Sequence, residues 1–304
     1  MSPVSHPAST RGRHSIRSAE RRFILTAMIP AVIFYLIFRF YPVGYAFFMS
    51  LHDWQLLSKT PVFIGLDNYI QLLGDPLFIK VVGNTFYFAI FSTLLTTVVS
   101  LVTAIILNPI GRGSTVFRLI YFLPVMTATI ASATIWLWLY QARFGLFNQL
   151  LQLVGLPRIP WLISSTWAMP SIILMSVWGG IGFNVVIFLA GLRGIPREFY
   201  EAAAMDGASG AQMARRITVP LLAPVTAFVL ATSLIGGFNV FQQVYLMTRG
   251  GPQDSTRVLA LHIYEYAFLR LFIGQASAIA FFLFAIVITM TVLQNRIQRV
   301  DWEL

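Results

Sequence analysis

Residues 82–107 read VGNTFYFAIFSTLLTTVVSLVTAIIL. No Asp, Glu, Lys or Arg interrupts this run. A helix needs ~20 apolar residues to cross a bilayer core of ~30 Å, so the stretch is long enough to span a membrane. Five other runs share its character: roughly 23–50, 118–140, 167–191, 221–247 and 273–293. The pattern predicts an all-α polytopic membrane protein with six transmembrane helices. Whole-chain composition agrees. Of 304 residues, 57% are hydrophobic and 11% charged, and the mean hydropathy is +0.75. A soluble domain carries about 25% charged residues, so most of this surface must face something apolar.

The ends of the chain differ from the middle. Residues 1–20 are polar and rich in Ser, Arg and Pro, which predicts a disordered tail. The apolar run behind Arg17, Arg21 and Arg22 is too long for a signal peptide, and no small-residue cleavage site follows it. A transmembrane domain over 21–294 and a C-terminal tail over 295–304 complete the division.

Charge sets the expected topology. Six spans place both termini on one side. That side and its loops carry Arg11, Arg13, Arg17, Arg21, Arg22, Arg112, Arg118, Arg193, Arg197, Arg215, Arg216, Arg296 and Arg299. The opposite loops carry Lys59, Lys80, Arg143, Arg158, Arg249, Arg257 and Arg270, and Arg39 lies inside the first span. Basic residues hold loops in the cytoplasm, so both termini are expected there. The net charge of +10 does not imply nucleic acid, because the arginines are spread along the chain and do not cluster on one face. The chain has no Cys, and its four His form no ligand pair, so no metal site is expected.

Segment 192–220 is the unusual connection. A link between packed helices usually needs about 2–8 residues, far fewer than this one has. It reads LRGIPREFYEAAAMDGASGAQMARRITVP. Pro196, Glu198 and Glu201 suit a helix N-terminal turn. Ala202, Ala203, Ala204 and Met205 favour helix. Gly207 permits a turn, Ser209 can cap a second helix running to Ile217, and Pro220 closes it. The expected unit is helix–turn–helix across the cytoplasmic mouth of the bundle, either as a lid or as a knob for a soluble partner.

This string resembles the EAA loop of ABC importer permeases. The matching positions are Glu201-Ala202-Ala203, Asp206-Gly207-Ala208, Ile217, Pro220 and Leu221. Further segments are similar to the carbohydrate branch of that family, the maltose- and glycerol-phosphate-type permeases. They are GLDNYIQLLGDPLF (65–78), NTFYFAI (84–90), FRLIYFLPV (117–125), MTRGGPQDST (247–256) and IYEYAF (263–268). The resemblance implies a plasma (inner) membrane subunit in a prokaryote, working in a heteromer. Its implied partners are a second homologous permease, two copies of an ATPase subunit, an extracytoplasmic solute-binding protein, the carbohydrate and the lipid bilayer. ATPase coupling would run through Glu201, Ala202, Ala203, Asp206, Gly207 and Pro220. No cofactor is expected in this chain; ATP and Mg belong to the partner ATPase. The residues agree, since no GxxxxGK[ST] phosphate loop is present.

Substrate candidates come from polar residues inside the spans, where they are costly unless they face a cavity or another helix. They are Thr127, Thr129, Ser132, Ser176, Asn184, Asn239, Gln242 and Gln243. Ser and Thr often bond their own helix backbone instead. By similarity to the maltose-type permeases, Thr129, Ser176, Gly180 and Phe183 fall at sugar-contacting places. Asn239 matches the family's asparagines in the fifth span approximately. An ion-coupled secondary transporter is the alternative, but such proteins commonly hold ionisable residues mid-membrane. No Asp, Glu or His lies mid-span here.

Overall fold

The computed structural model describes residues 11–57, 60–108 and 114–297. The helices follow in chain order. Helix α1 (Arg11–Tyr35) passes through a π-helical turn at Leu36–Phe40 into α2 (Tyr41–Ser50). A two-residue hairpin pairs β1 (His52–Asp53) with β2 (Val62–Phe63), and α3 (Asp67–Gly74) follows. Then come α4 (Pro76–Leu107), α5 (Ser114–Met126), α6 (Thr129–Leu139), α7 (Leu146–Leu153) and α8 (Ala168–Arg193). The second half holds α9 (Arg197–Met205), α10 (Gly210–Met213), a π turn at Ala214–Thr218, α11 (Val219–Leu221), α12 (Ala223–Phe238) and α13 (Gln242–Met247). Helix α14 (Leu259–Tyr264), a π turn at Glu265–Leu269 and α15 (Ile273–Ile297) end the described chain.

Four segments are single helices long and apolar enough to cross a membrane: Phe23–Ser50, Pro76–Leu107, Ala168–Arg193 and Ile273–Gln294. The third and fifth expected spans are not continuous helices. Leu119–Met126 and Thr129–Leu139 meet at 109°, and Gly210–Leu221 and Ala223–Phe238 meet at 67°. Counting each bent pair as one crossing gives up to six spans among the described residues.

The breaks have local causes. Pro124 cannot donate to the carbonyl one turn back, which weakens the helix before its end at Met126. The Thr127 hydroxyl then donates to the Leu123 carbonyl at 2.9 Å, and α6 starts afresh after the extended Ala128. The expected span 221–247 stops at Phe238. There the Asn239 side-chain amide donates back to the Ile235 carbonyl at 2.8 Å, ending the ladder before α13 begins. Two of the π turns end two residues before a proline, Pro42 or Pro220. One extra residue in the turn accommodates a ring that can neither donate nor pass the preceding carbonyl.

Other boundaries also differ from expectation. Helix α4 starts six residues before 82, capped by Asp75, whose carboxylate accepts from the Leu77 amide at 2.8 Å. Helix α1 extends back to Arg11, into the segment expected as an unstructured tail, whose first ten residues lie outside the described residues. Of the C-terminal tail, residues 298–304 lie outside them too.

Helix α4 is the axis of the bundle, packed on α8 and α12. Close approach depends on glycine. A methyl group at Gly237 would lie 2.9 Å from the Ala89 Cα, and one at Gly182 would run into the Tyr121 carbonyl of α5. One core cluster joins Trp136, Tyr140, Ile172, Ile173 and Val244; another joins Phe78, Ala89, Phe238 and Ile279; a third joins Ala104, Val185, Phe188 and Leu222. Trp136 is part of the core, with its ring 5.6 Å from Trp178.

Candidate functional site

A cavity of about 690 Å³ lies where α4, α6, α8, α12 and α13 converge. The breaks described above create much of its wall. Because α5 and α6 are separate, Pro124, Thr127 and Thr129 reach it. Because α12 stops early, Asn239, Gln242 and Gln243 reach it too. Of the ten candidates named from the sequence, Thr129, Ser176, Gly180, Phe183, Asn184, Asn239, Gln242 and Gln243 line this one cavity. Thr127 and Ser132 line it as well.

Their hydrogen bonds divide them. The Ser176 hydroxyl donates to the Ile172 carbonyl at 2.9 Å, so its proton is occupied within its own helix. The buried Asn184 amide donates to the Ser233 hydroxyl at 3.1 Å, tying α8 to α12. Gly180 packs against Thr96, whose methyl would lie 3.2 Å from an added Cβ. Aromatic faces come from Phe88, Trp178, Phe183 and Phe241. Phe183, Asn239 and Gln242 remain exposed, so the cavity opens along one side of the chain. Sequence reasoning missed Ser92, Thr93 and Thr96 on α4, which also line it. They sit inside the most apolar-looking stretch, where hydroxyls ordinarily bond their own helix.

Two connecting segments are braced by side-chain hydrogen bonds. In segment 141–166 the buried Asn148 donates to the Ala142 and Ile159 carbonyls, both at 3.0 Å, and accepts from the Ile159 amide and the Trp161 indole. Segment 248–258 holds positive φ at Arg249, Gln253 and Asp254. Such backbone persists only when its surroundings over-determine it. Here Lys80 donates to the Gln253 carbonyl and Asn84 to the Asp254 and Arg257 carbonyls. Arg257 bridges Asp254 at 3.2 Å and Glu265 at 3.3 Å. His262, fully buried, lies 4.0 Å from Glu265. Burial first, then the Arg257 and Arg270 charges, lower its pKa to about 4, so the imidazole is neutral at pH 7. Burial raises the Glu265 carboxyl above its ordinary range.

The helix–turn–helix expected at 192–220 is formed. Helix α9 ends with Gly207 at φ +78, its amide on the Ala204 carbonyl at 3.0 Å and the Ala208 amide on the Ala203 carbonyl at 2.9 Å. That pair is the Schellman closure, which needs glycine at the left-handed position. Ser209 and Gln212 form a reciprocal capping box at the next helix. The Tyr200 hydroxyl meets the Thr218 hydroxyl at 2.9 Å and fixes α9 against the π turn. Glu201, Ala202, Asp206, Gly207 and Pro220 are exposed, and Ala203 is half-buried. Phe199 and Met205 also stand out, at 51% and 89% exposure, as large apolar side chains of α9 left uncovered among the described residues.

Comparison with known proteins bears on both features. Residues 96–300 match the family model described as binding-protein-dependent transport system inner membrane component. The probable ABC transporter permease protein YurN of Bacillus subtilis is 34% identical over 88% of this chain and 93% of its own length. The trehalose/maltose transport system permease protein MalF of Thermococcus litoralis is 34% identical over 93% of this chain and 95% of its own. The sn-glycerol-3-phosphate transport system permease protein UgpA of Brucella abortus is 32% identical over 88% and 92%. Among solved structures, a bacterial ABC transporter for the acidic polysaccharide alginate superimposes with a TM-score of 0.81, covering 95% of this chain and all of that one at 24% identity. A second alginate transporter structure, in complex with a periplasmic protein bound to an alginate pentasaccharide, gives 0.80 over 93% and 96% at 25% identity.

Proposed function

The chain belongs to the family of binding-protein-dependent transport system inner membrane components, and from that premise we propose that it forms half of the translocation pathway of an ATP-driven carbohydrate importer. The trehalose/maltose relative and the alginate transporters support the carbohydrate class. The other half comes from a second, homologous permease. The cavity supports this pairing, because Phe183, Asn239 and Gln242 leave it open along one side. An extracytoplasmic solute-binding protein delivers the sugar. Both termini and α9 face the cytoplasm, following the arginine bias.

The observation that carries the reading is the exposed, internally braced unit from α9 to Thr218. The Schellman closure ends α9 and the capping box starts α10, so the turn between them is held on both sides. The unit's exposed apolar and acidic side chains have no cover among the described residues. We assign it to a groove on one of two ATPase subunits, which hold the ATP and Mg. Glu201 supplies a charge there, and a hydrogen bond to a charged group at an excluded contact is worth about 1.5–3 kcal/mol. Ala202, Ala203 and Asp206 complete the contact; Gly207 and Pro220 fix the angle of the two short helices. ATP-driven closure of the ATPase pair then moves the unit, and the bundle exchanges inward- and outward-facing openings.

The absence of cysteine from the chain makes the test direct. A single Glu201→Cys substitution labelled with a benzophenone maleimide, whose thioether tether leaves a ketone that inserts into neighbouring C–H bonds under light, should photo-crosslink to the ATPase subunit in the complex purified with its ATPase. A cysteine at Leu150 on α7 should not. Crosslinking of Glu201→Cys only to lipid or to the chain itself would overturn the assignment.

A further inference from the structure

Helix α4 carries a row of hydroxyls whose bonding is uneven. Thr85 and Thr103 donate to carbonyls one turn back, Val81 at 2.8 Å and Val99 at 2.7 Å. The same geometry would send Thr93 to the Ala89 carbonyl, but Ser92 already approaches that carbonyl at 3.4 Å. The Thr93 hydroxyl is buried, with the residue 4% exposed, and it has no hydrogen-bond partner. Thr96, one turn on, makes no side-chain hydrogen bond among the described residues. Ser92, Thr93 and Thr96 all line the cavity. A buried hydroxyl without a partner costs about 1–3 kcal/mol, so in a membrane interior it calls for a reason.

This chain's share of the wall narrows that reason. Among the described residues, no charged side chain and no histidine lines the cavity. It offers hydroxyls, the amides of Asn184, Asn239, Gln242 and Gln243, and four aromatic faces. A desolvated anion would need a cation or several aligned donors here. A neutral polyol needs dispersed hydroxyl and amide partners, and its C–H faces pack on aromatic rings.

We infer that the Ser92–Thr93–Thr96 face of α4 is a ligand-contacting wall that reads the hydroxyls of an uncharged sugar. The inference rests on the cavity being the translocation site. The free Thr93 hydroxyl is the donor or acceptor that the ligand satisfies, and Thr96, held against Gly180, sets how closely it approaches. Residues with similar chemistry elsewhere on the wall, such as Ser176 and Thr232, already spend their protons on their own helices.

The test uses the assembled importer in proteoliposomes with its binding protein. The probes are labelled neutral di- and trisaccharides, trehalose and maltose among them, with sn-glycerol 3-phosphate and alginate oligosaccharides as anions. A neutral sugar should be the transported member, and uptake of an anion in its place would overturn the charge class. For the transported sugar, Thr93→Val should raise the uptake KM about two- to tenfold, the value of one neutral hydrogen bond. Thr93→Ser should restore it, and Ser92→Ala should raise KM less. A purely structural role predicts an unchanged KM for Thr93→Val; the melting temperature stays level or rises under either reading, because the hydroxyl is unsatisfied in the ligand-free protein. Unaltered KM in both Thr93→Val and Ser92→Ala, beside a raised KM in Asn184→Ala, would overturn the α4 wall and leave the cavity standing. Unaltered KM in all three would remove the cavity itself from the pathway.

Discussion

Gly207→Val is the sharpest perturbation of the docking unit. Gly207 sits at φ +78, and no atom lies within 4 Å of a Cβ built on it. The substitution therefore introduces no clash, and its cost is the backbone alone. A left-handed conformation costs an L-residue about 1–2 kcal/mol, and a β-branched one at least that. The chain relieves the strain by giving up the two closing bonds, Gly207 to Ala204 and Ala208 to Ala203, which frees α9 from its fixed angle to α10. At about 1.4 kcal/mol per tenfold, the docking-competent form falls roughly five- to thirtyfold. The apparent dissociation constant for the ATPase rises by the same factor. Titrating the purified ATPase subunit against the detergent-solubilised permease pair measures it. Gly207→Asn should lose less, since Asn tolerates the left-handed region. Gly207→Asp should lose more than Asn, because it adds a second carboxylate beside Asp206. The permease melting temperature should hardly move, as Thr218 is the buried residue of this unit. Wild-type affinity in Gly207→Val would refute the reasoning, and so would a melting temperature that falls in step with affinity.

Further outcomes test the body of the fold. Asn148→Ala should destabilise segment 141–166 by several kcal/mol, because it strips partners from the Ala142 and Ile159 carbonyls and two N–H donors at once; hydrogen exchange confined to that segment is the readout. Gly182→Val should force α5 away from α8 and cost about 1–3 kcal/mol or more, seen as a lower melting temperature and a smaller cavity. His262 is held neutral in the fold while its unfolded pKa is 6.5, so the unfolded chain binds more protons as pH falls from about 6.5 towards 4. Its contribution is complete above that window and lost through it. The raised Glu265 works in the opposite direction, while Arg257, Arg270, Asp75 and Asp254 set the local field. The melting temperature of wild type should therefore fall relative to that of His262→Leu between pH 7 and pH 4.5.

The legible parts of this chain are those where one residue type has one physical consequence. Apolar length marked the spans. Gly207, Ser209 and the alanines marked the helix–turn–helix, because glycine at a helix end and serine at a helix start have few alternatives. The cavity residues of α6, α8 and α13 were legible because amides inside a span need partners. The 109° break between α5 and α6 was not, although Pro124 stood in view; a proline weakens a helix, but the angle is decided by what packs on either side. The α4 hydroxyls were hidden for a different reason. Ser or Thr in a helix ordinarily bonds its own backbone, and only the structure shows that the Thr93 hydroxyl makes no such bond. The helices α3, α7 and α14 are too short to carry a readable period, so segments 51–81, 141–166 and 248–272 read as mere connections.

The central claim is that ATP, acting through the α9 unit, drives a sugar through this cavity. Initial uptake of the transported sugar into proteoliposomes, with ATP present or absent and ion gradients collapsed by ionophores, tests it most directly. The account predicts uptake that requires ATP and is indifferent to the ionophores. Uptake driven by an ion gradient without ATP would contradict it.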